Sequence, residues 1–211
     1  MRKLAARFPN INAVVPLGLK RKLQQLGINN VTELDWWEQT NFHNICFHAV
    51  PAHHWSQRSL LDRNHTLWCG WMMQTPEGSN TYFSGDTGFS EIMFRQIAEH
   101  FTSTDMAAIQ IGAYAPRWFM HNQHIDPEQA VAIFNILRCR QAIGMHWGAF
   151  ELADEPLDEH PNYWPQPEFG MDYYPIVLKA SKWGTAARSP LPNPNNRNRF
   201  MLLKNFTGHS K

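Results

Sequence analysis

At 211 residues the chain has the length of a single domain that can bury a substantial core. Hydrophobic residues make up 43% and charged residues 18%, a globular composition that excludes a disordered chain. A formal charge of +1, without a dense basic run, removes the electrostatic case for nucleic acid as a partner. Nine Trp and thirteen Phe suit a large core and an apolar groove for a greasy substrate. Of the eleven His most must be bystanders, so spacing has to choose among them. Cys46, Cys69 and Cys139 lie far apart without a CxxC pair, and read as small core residues of a reduced, cytosolic protein. The first fifteen residues contain no apolar segment of signal-peptide type, and no apolar run reaches the roughly 18 residues a membrane span needs. The expectation is a cytoplasmic protein with no transmembrane segment.

Residues 1–8 read as the end of a helix with Arg2, Lys3 and Arg7 on its polar side and no capping residue before them. Asn12–Pro16 is a short buried strand. Leu17–Leu26 places Leu19, Leu23 and Leu26 on one helix face, ended by Gly27. Val31–Trp37 is a further strand, so the chain opens as strand–helix–strand, the pattern of a layered fold. Asn44–Val50 is a strand that runs into Pro51-Ala52-His53-His54-Trp55, followed by a polar loop over Ser59–Asn64. Thr66–Gln74 and Thr81–Ser84 form two strands joined by the turn residues of Thr75–Asn80. Phe89–Phe101 is an amphipathic helix through Phe89, Ile92, Met93, Ile97 and Phe101. Met106–Ile111 is a buried strand, and Gly112–Asp126 a long irregular segment of the kind that usually carries function. Pro127 opens a helix whose buried side is Ala130, Val131, Ile133, Phe134 and Leu137; Gln141–Met145 is the last strand. Beyond about residue 160 the signal fades into proline-rich sequence, read as an irregular, flexible tail over residues 161–211.

In YFSGDTG an apolar strand stops at a small-residue turn that lifts Asp86 out between Gly85 and Gly88. Asp at this point is also an ordinary helix cap. His54 and His146, like Asp86, fall within a few residues of the end of a predicted buried strand. Loops at one edge of a layered sheet converge on a ligand site, and two imidazoles with a carboxylate suit zinc or a similar divalent ion. Each histidine, beside a Trp, equally suits a packed and hydrogen-bonded core position. The residues alone leave both readings open.

Four segments, PAHHWSQRSLLDRN, FSGDTG, IQIGAYAPRWFMHNQHIDPEQAV and MHWGAFELADEP, resemble in order and spacing the metallo-β-lactamase superfamily. The branch they resemble is that of the N-acylphosphatidylethanolamine-hydrolysing phospholipase D proteins and their bacterial relatives. The resemblance covers residues 1–160 and implies an αββα sandwich, of which this chain would be about the C-terminal two-thirds. It implies metal-assisted hydrolysis of a lipid or small-molecule phosphodiester, with a membrane-surface association in keeping with such a substrate. By the same resemblance His54 is a histidine ligand of the first metal, Asp86 the carboxylate bridging two metals, and His146 the final histidine on the second. His124, in NQHIDP, lines the site and contacts the substrate head group. His53 takes the place of a non-ligand polar residue.

The superfamily's His-x-His-x-Asp-His signature does not occur in these 211 residues. The expectation is an N-terminally truncated member that retains three of seven ligands and holds at most one ion, weakly, where the intact family holds two zinc ions. The alternative to a hydrolase is a catalytically inactive remnant or a non-catalytic lipid-binding module. The sequence leaves oligomeric state, natural substrate and metal identity open.

Overall fold

The computed structural model describes residues 1–147 and 153–155. The tail read over residues 161–211 lies outside them. The α+β layering expected from the sequence is present, as a small sheet and a large one, each with its own helices. Helix α1 (Arg2–Arg7), strand β1 (Asn12–Pro16), helix α2 (Lys20–Gln25) and strand β2 (Asn30–Leu34) form the first unit. β1 and β2 pair in parallel from Asn12↔Asn30 to Pro16↔Leu34. Ala5, Val15, Leu23, Ile28 and Val31 close a small core between them and the two helices. β2 stops three residues short of the predicted Trp37, because the chain turns at Asp35-Trp36 and Trp37 takes a positive φ of 71°.

The large sheet has six strands in sequence order: β3 (Gln39–Phe42), β4 (Ile45–Val50), β5 (Gly70–Gln74), β6 (Asn80–Phe83), β7 (Thr104–Gln110) and β8 (Cys139–Met145). β3 was not legible in the sequence: QTNF is polar but for Phe42, and its pairing to β4 forms an edge that the hydrophobic pattern does not mark. β5 begins at Gly70, four residues later than the predicted Thr66. β3 to β6 are antiparallel neighbours, whereas β6, β7 and β8 are parallel. Two reversals between β4 and β6 return the chain to one direction, so β4, β6, β7 and β8 all end at the same edge of the sheet.

Register explains which face is buried. His48, Met72, Tyr82, Ala107 and Ala142 pair successively across β4 to β8, a row on one side of the sheet. Met72, Tyr82 and Ala107 are fully buried there against Phe94 and Ile97 of helix α3 (Glu91–His100) and Ile133 of helix α5 (Pro127–Ile136). Each large apolar side chain buried in this layer contributes about 2 kcal/mol. Within α3 the predicted Ile92 is 75% exposed; Phe94, one turn on from Ser90, takes the inward position. α5 starts at Pro127 with a capping box: the Asp126 carboxylate accepts from the Gln129 N–H at 2.8 Å, and the Gln129 side chain returns the bond. The irregular segment before it contains one short helical turn, α4 (Arg117–Met120). Of the cysteines expected in the core, Cys139 is buried whereas Cys46 and Cys69 are partly exposed. Burial nevertheless pushes the Cys69 and Cys139 thiols up to about 12, which leaves them protonated and unreactive.

Candidate functional site

Four chain segments leave the common carboxyl edge and are stitched together there. After β4, Pro51-Ala52 leads to His53-His54; after β6, Ser84-Gly85 leads to Asp86. The His53 N–H donates to Thr87 Oγ1 at 3.0 Å and the Gly88 N–H donates to the His53 carbonyl at 2.7 Å, which fixes the two segments side by side. Gly88 is required because a Cβ there would lie 2.4 Å from the Asn122 carbonyl oxygen of the segment after β7. The third and fourth segments meet where Ile111 N–H donates to the Met145 carbonyl at 3.0 Å. Ala113 and His146 both adopt the left-handed backbone region, with φ of 61° and 60°. Glu155 returns to this edge, accepting hydrogen bonds from the Ala113 N–H and, at 3.1 Å, from the Ala115 N–H.

This framework brings together all four residues that the sequence singled out. His146 Nε2 lies 3.5 Å from Asp86 Oδ1. The His124 ring stands between the other two imidazoles, its centroid 5.3 Å from His54 and 5.4 Å from His146. His53 contributes its backbone to the loop lattice and turns its side chain to solvent. Asp86 does not cap the following helix: Ser90 does, its side chain accepting from the Met93 N–H. The carboxylate is therefore exposed at the edge and faces His146 instead.

The protonation state of His54 suits a metal ligand. Its Nδ1 is 2.7 Å from the Trp55 carbonyl, a group that only accepts, so Nδ1 carries the proton. The lone pair is then on Nε2, which is buried and has no hydrogen-bond partner among the described residues. That is the arrangement by which a backbone carbonyl sets the tautomer of a ligating histidine. His146 Nδ1 is likewise buried and unpartnered. In kind, and at His54 in tautomer, the donors suit a divalent ion, although among the described residues no three His, Cys, Asp or Glu close on one point.

Burial pushes the His124 imidazole down to about 4; Asp86 and Glu155 oppose the shift, and the His54 and His146 imidazoles add to it. His124 is thus neutral at pH 7. The folded state disfavours its protonation, so the stability it contributes is complete above the ordinary histidine value of about 6.5 and is lost as pH falls towards 4. Urea unfolding at pH 7.5 and pH 5 is expected to show a smaller acid loss in His124→Asn than in the wild type. Equal losses would remove His124 as a cause.

Two supporting residues escaped the sequence reading. Gln110, the last residue of β7, is fully buried and hydrogen-bonded to Thr87, Gly112 and His124. Its signal was available: one polar residue inside MAAIQI must find buried partners. Arg117 holds the His124 carbonyl at 2.9 Å and pairs with Asp126 at 3.3 Å, tying His124 to the start of α5.

Residues 1–147 match the family model described as "Beta-lactamase superfamily domain". The chain is 44% identical over 165 residues to N-acyl-phosphatidylethanolamine-hydrolyzing phospholipase D 1 of Caenorhabditis elegans, covering 72% of this chain and 46% of that protein. It is 38% identical over 147 residues to the mitochondrial N-acyl-phosphatidylethanolamine-hydrolyzing phospholipase D of Saccharomyces cerevisiae, covering 67% of this chain and 31% of that one. The chain thus spans less than half the length of either relative. A solved structure from Veillonella parvula, "a possible metal-dependent hydrolase", shares the fold with a TM-score of 0.52 at 12% identity, over 65% of this chain and 53% of that chain.

Proposed function

The chain belongs to the metallo-β-lactamase superfamily, close to the N-acyl-phosphatidylethanolamine-hydrolysing phospholipase D branch, and we propose that it is a metal-dependent hydrolase of a phosphodiester lipid. The observation that carries this reading is the meeting of His54, Asp86, His124 and His146 at one sheet edge, with the His54 Nε2 lone pair buried and unused. In this reading His54, Asp86 and His146 hold the metal. A bound divalent ion supplies an activated water near neutral pH and offsets charge on phosphate oxygens. His124, neutral and fixed between the two histidines, orients the phosphate. Zinc is the ion proposed, since two imidazoles and a carboxylate suit it.

A lipid substrate has support in the exposed apolar side chains of two segments that connect to this edge. The loop that follows His54 exposes Leu60 and Leu61 at 94% and 88%, and the segment leading to His124 exposes Trp118 at 81%. Large apolar side chains held in water on segments that run from or to the site residues suit acyl chains or a membrane surface.

The test is hydrolysis of a long-chain phosphodiester lipid by the purified chain with added zinc or manganese. Turnover is expected to depend on metal and to fall to background in His146→Ala. Activity no greater than that of the alanine variant would sink the hydrolase reading. Metal-independent retention of lipid in that same experiment would favour a non-catalytic lipid-binding module.

A further inference from the structure

Gln110 makes hydrogen bonds that decide which nitrogen of His124 carries the proton. Its side-chain oxygen accepts from the Thr87 N–H at 2.9 Å, and its Nε2 donates to the Gly112 carbonyl at 2.9 Å. A backbone N–H only donates and a carbonyl only accepts. Turning the carboxamide over would set N–H against N–H and oxygen against oxygen, two clashes of like polarity in a fully buried place. The orientation is therefore determined by the main chain.

With the carboxamide so placed, its remaining N–H faces His124 Nδ1. That nitrogen has to accept, so it is unprotonated, and the proton of the neutral ring sits on Nε2. The rest of the network holds this geometry rigid. The Gln110 main-chain N–H donates to Ser84 Oγ at 3.1 Å, and Arg117 fixes the His124 carbonyl at 2.9 Å. His54 has the opposite tautomer, with Nδ1 protonated on the Trp55 carbonyl. Two neighbouring imidazoles thus present different faces: His54 a lone pair, His124 an N–H.

We propose that Gln110 is a positioning residue that fixes His124 as the Nε2–H tautomer, so that His124 offers the site a hydrogen-bond donor and no lone pair. What this donor is used for rests on the reading of the site as a phosphodiesterase; the tautomer itself does not. In that site His124 recognises an unprotonated oxygen, as a phosphodiester presents at each non-bridging position. It neither removes a proton from water nor joins His54 and His146 as a further metal ligand through Nε2. Specificity follows: the neutral His124 donor discriminates for an anionic or carbonyl oxygen and against a group that itself only donates.

The test is the tautomer of His124 in the 15N-labelled full chain at pH 7.5, read from long-range proton–nitrogen correlations and assigned by its loss in His124→Asn. Wild type is expected to give the pattern of the Nε2–H form alone. Gln110→Met, which removes the donor while keeping length and volume, is expected to shift His124 to a mixture of both neutral forms. An Nδ1–H pattern in the wild type would overturn the proposal, as would an unchanged tautomer in a folded Gln110→Met. Added diethyl phosphate is expected to shift the Nε2–H proton resonance. If it leaves that resonance in place while the Nε2–H pattern stands, the phosphate-recognising role is overturned and the tautomer assignment survives.

Discussion

Gly112→Ala is expected to cost about 3 kcal/mol or more and to disorganise the site with it. A Cβ at Gly112 would stand 2.2 Å from the His146 carbonyl oxygen and 3.1 Å from both the His146 carbonyl carbon and Trp147 Cα. All three obstacles are main chain, so no side-chain rotation relieves them. The relief available is to part β7 from β8 at the point where Ile111 N–H reaches the Met145 carbonyl. That movement carries His146 away from Asp86 and strains the Gln110 bond to the Gly112 carbonyl. For a domain of this size the melting temperature is expected to fall by about 10 °C. Gly78→Ala is the control: unlike Gly112, Gly78 has a positive φ, 83°, but a Cβ there meets nothing within 4 Å. Its cost is expected to stay near 1 kcal/mol, the backbone term alone. Thermal unfolding followed by circular dichroism separates the two. Equal melting temperatures for the two variants would mean that the β7–β8 approach is not the constraint described here.

The elements that were legible are those whose ends carry their own chemistry. Asn12–Pro16 was bounded correctly because an apolar run meets a proline, and the start of α5 was placed correctly because Pro127 suits a first helical turn. The turn between β5 and β6 was legible from Pro76 and Gly78, whereas Asn80, read into the turn, opens β6 opposite Gln74. What escaped depends on pairing and capping that the hydrophobic pattern does not mark. β3 exists because three polar residues and Phe42 find β4 in register across a two-residue turn, which the hydrophobic pattern does not announce. α3 is capped by Ser90, and nothing in the sequence ranked Ser90 above Asp86 as the capping residue. The candidate site divides in the same way. His54, Asp86 and His146 were singled out because each follows a strand, a one-dimensional property, and His124 by resemblance. Gln110 and Thr87 could be understood only once β6 and β7 lay side by side, since their roles are made by hydrogen bonds between those strand ends.

Removing the Asp86 carboxylate is expected to weaken metal uptake sharply while leaving stability nearly unchanged, and Ser90→Ala is expected to lower stability slightly while leaving uptake unchanged. The two residues lie four apart and either could have capped α3, so the pair isolates cap from ligand. Ser90 accepts from Met93 N–H at 3.5 Å, a long bond, which places the cost of its loss at about 1 kcal/mol or less. Asp86 accepts no such bond, and its side chain is 44% exposed, so Asp86→Ala is expected to change stability by no more than about 0.5 kcal/mol. Its effect falls on the ion instead. Removal even of groups that merely orient a ligand lowers metal affinity by about 10–100-fold, and a carboxylate ligand carries the charge as well as an oxygen donor. Zinc or manganese titration calorimetry is expected to show at least that loss in Asp86→Ala, and no loss in Ser90→Ala. Asp86→Asn retains shape and a carbonyl oxygen without the charge, so an intermediate affinity would show that the negative charge carries part of the binding. Metal uptake undiminished in Asp86→Ala would take Asp86 out of the site altogether. The exposed carboxylate beside His146 would then be a surface ion pair, which contributes about 1 kcal/mol at most.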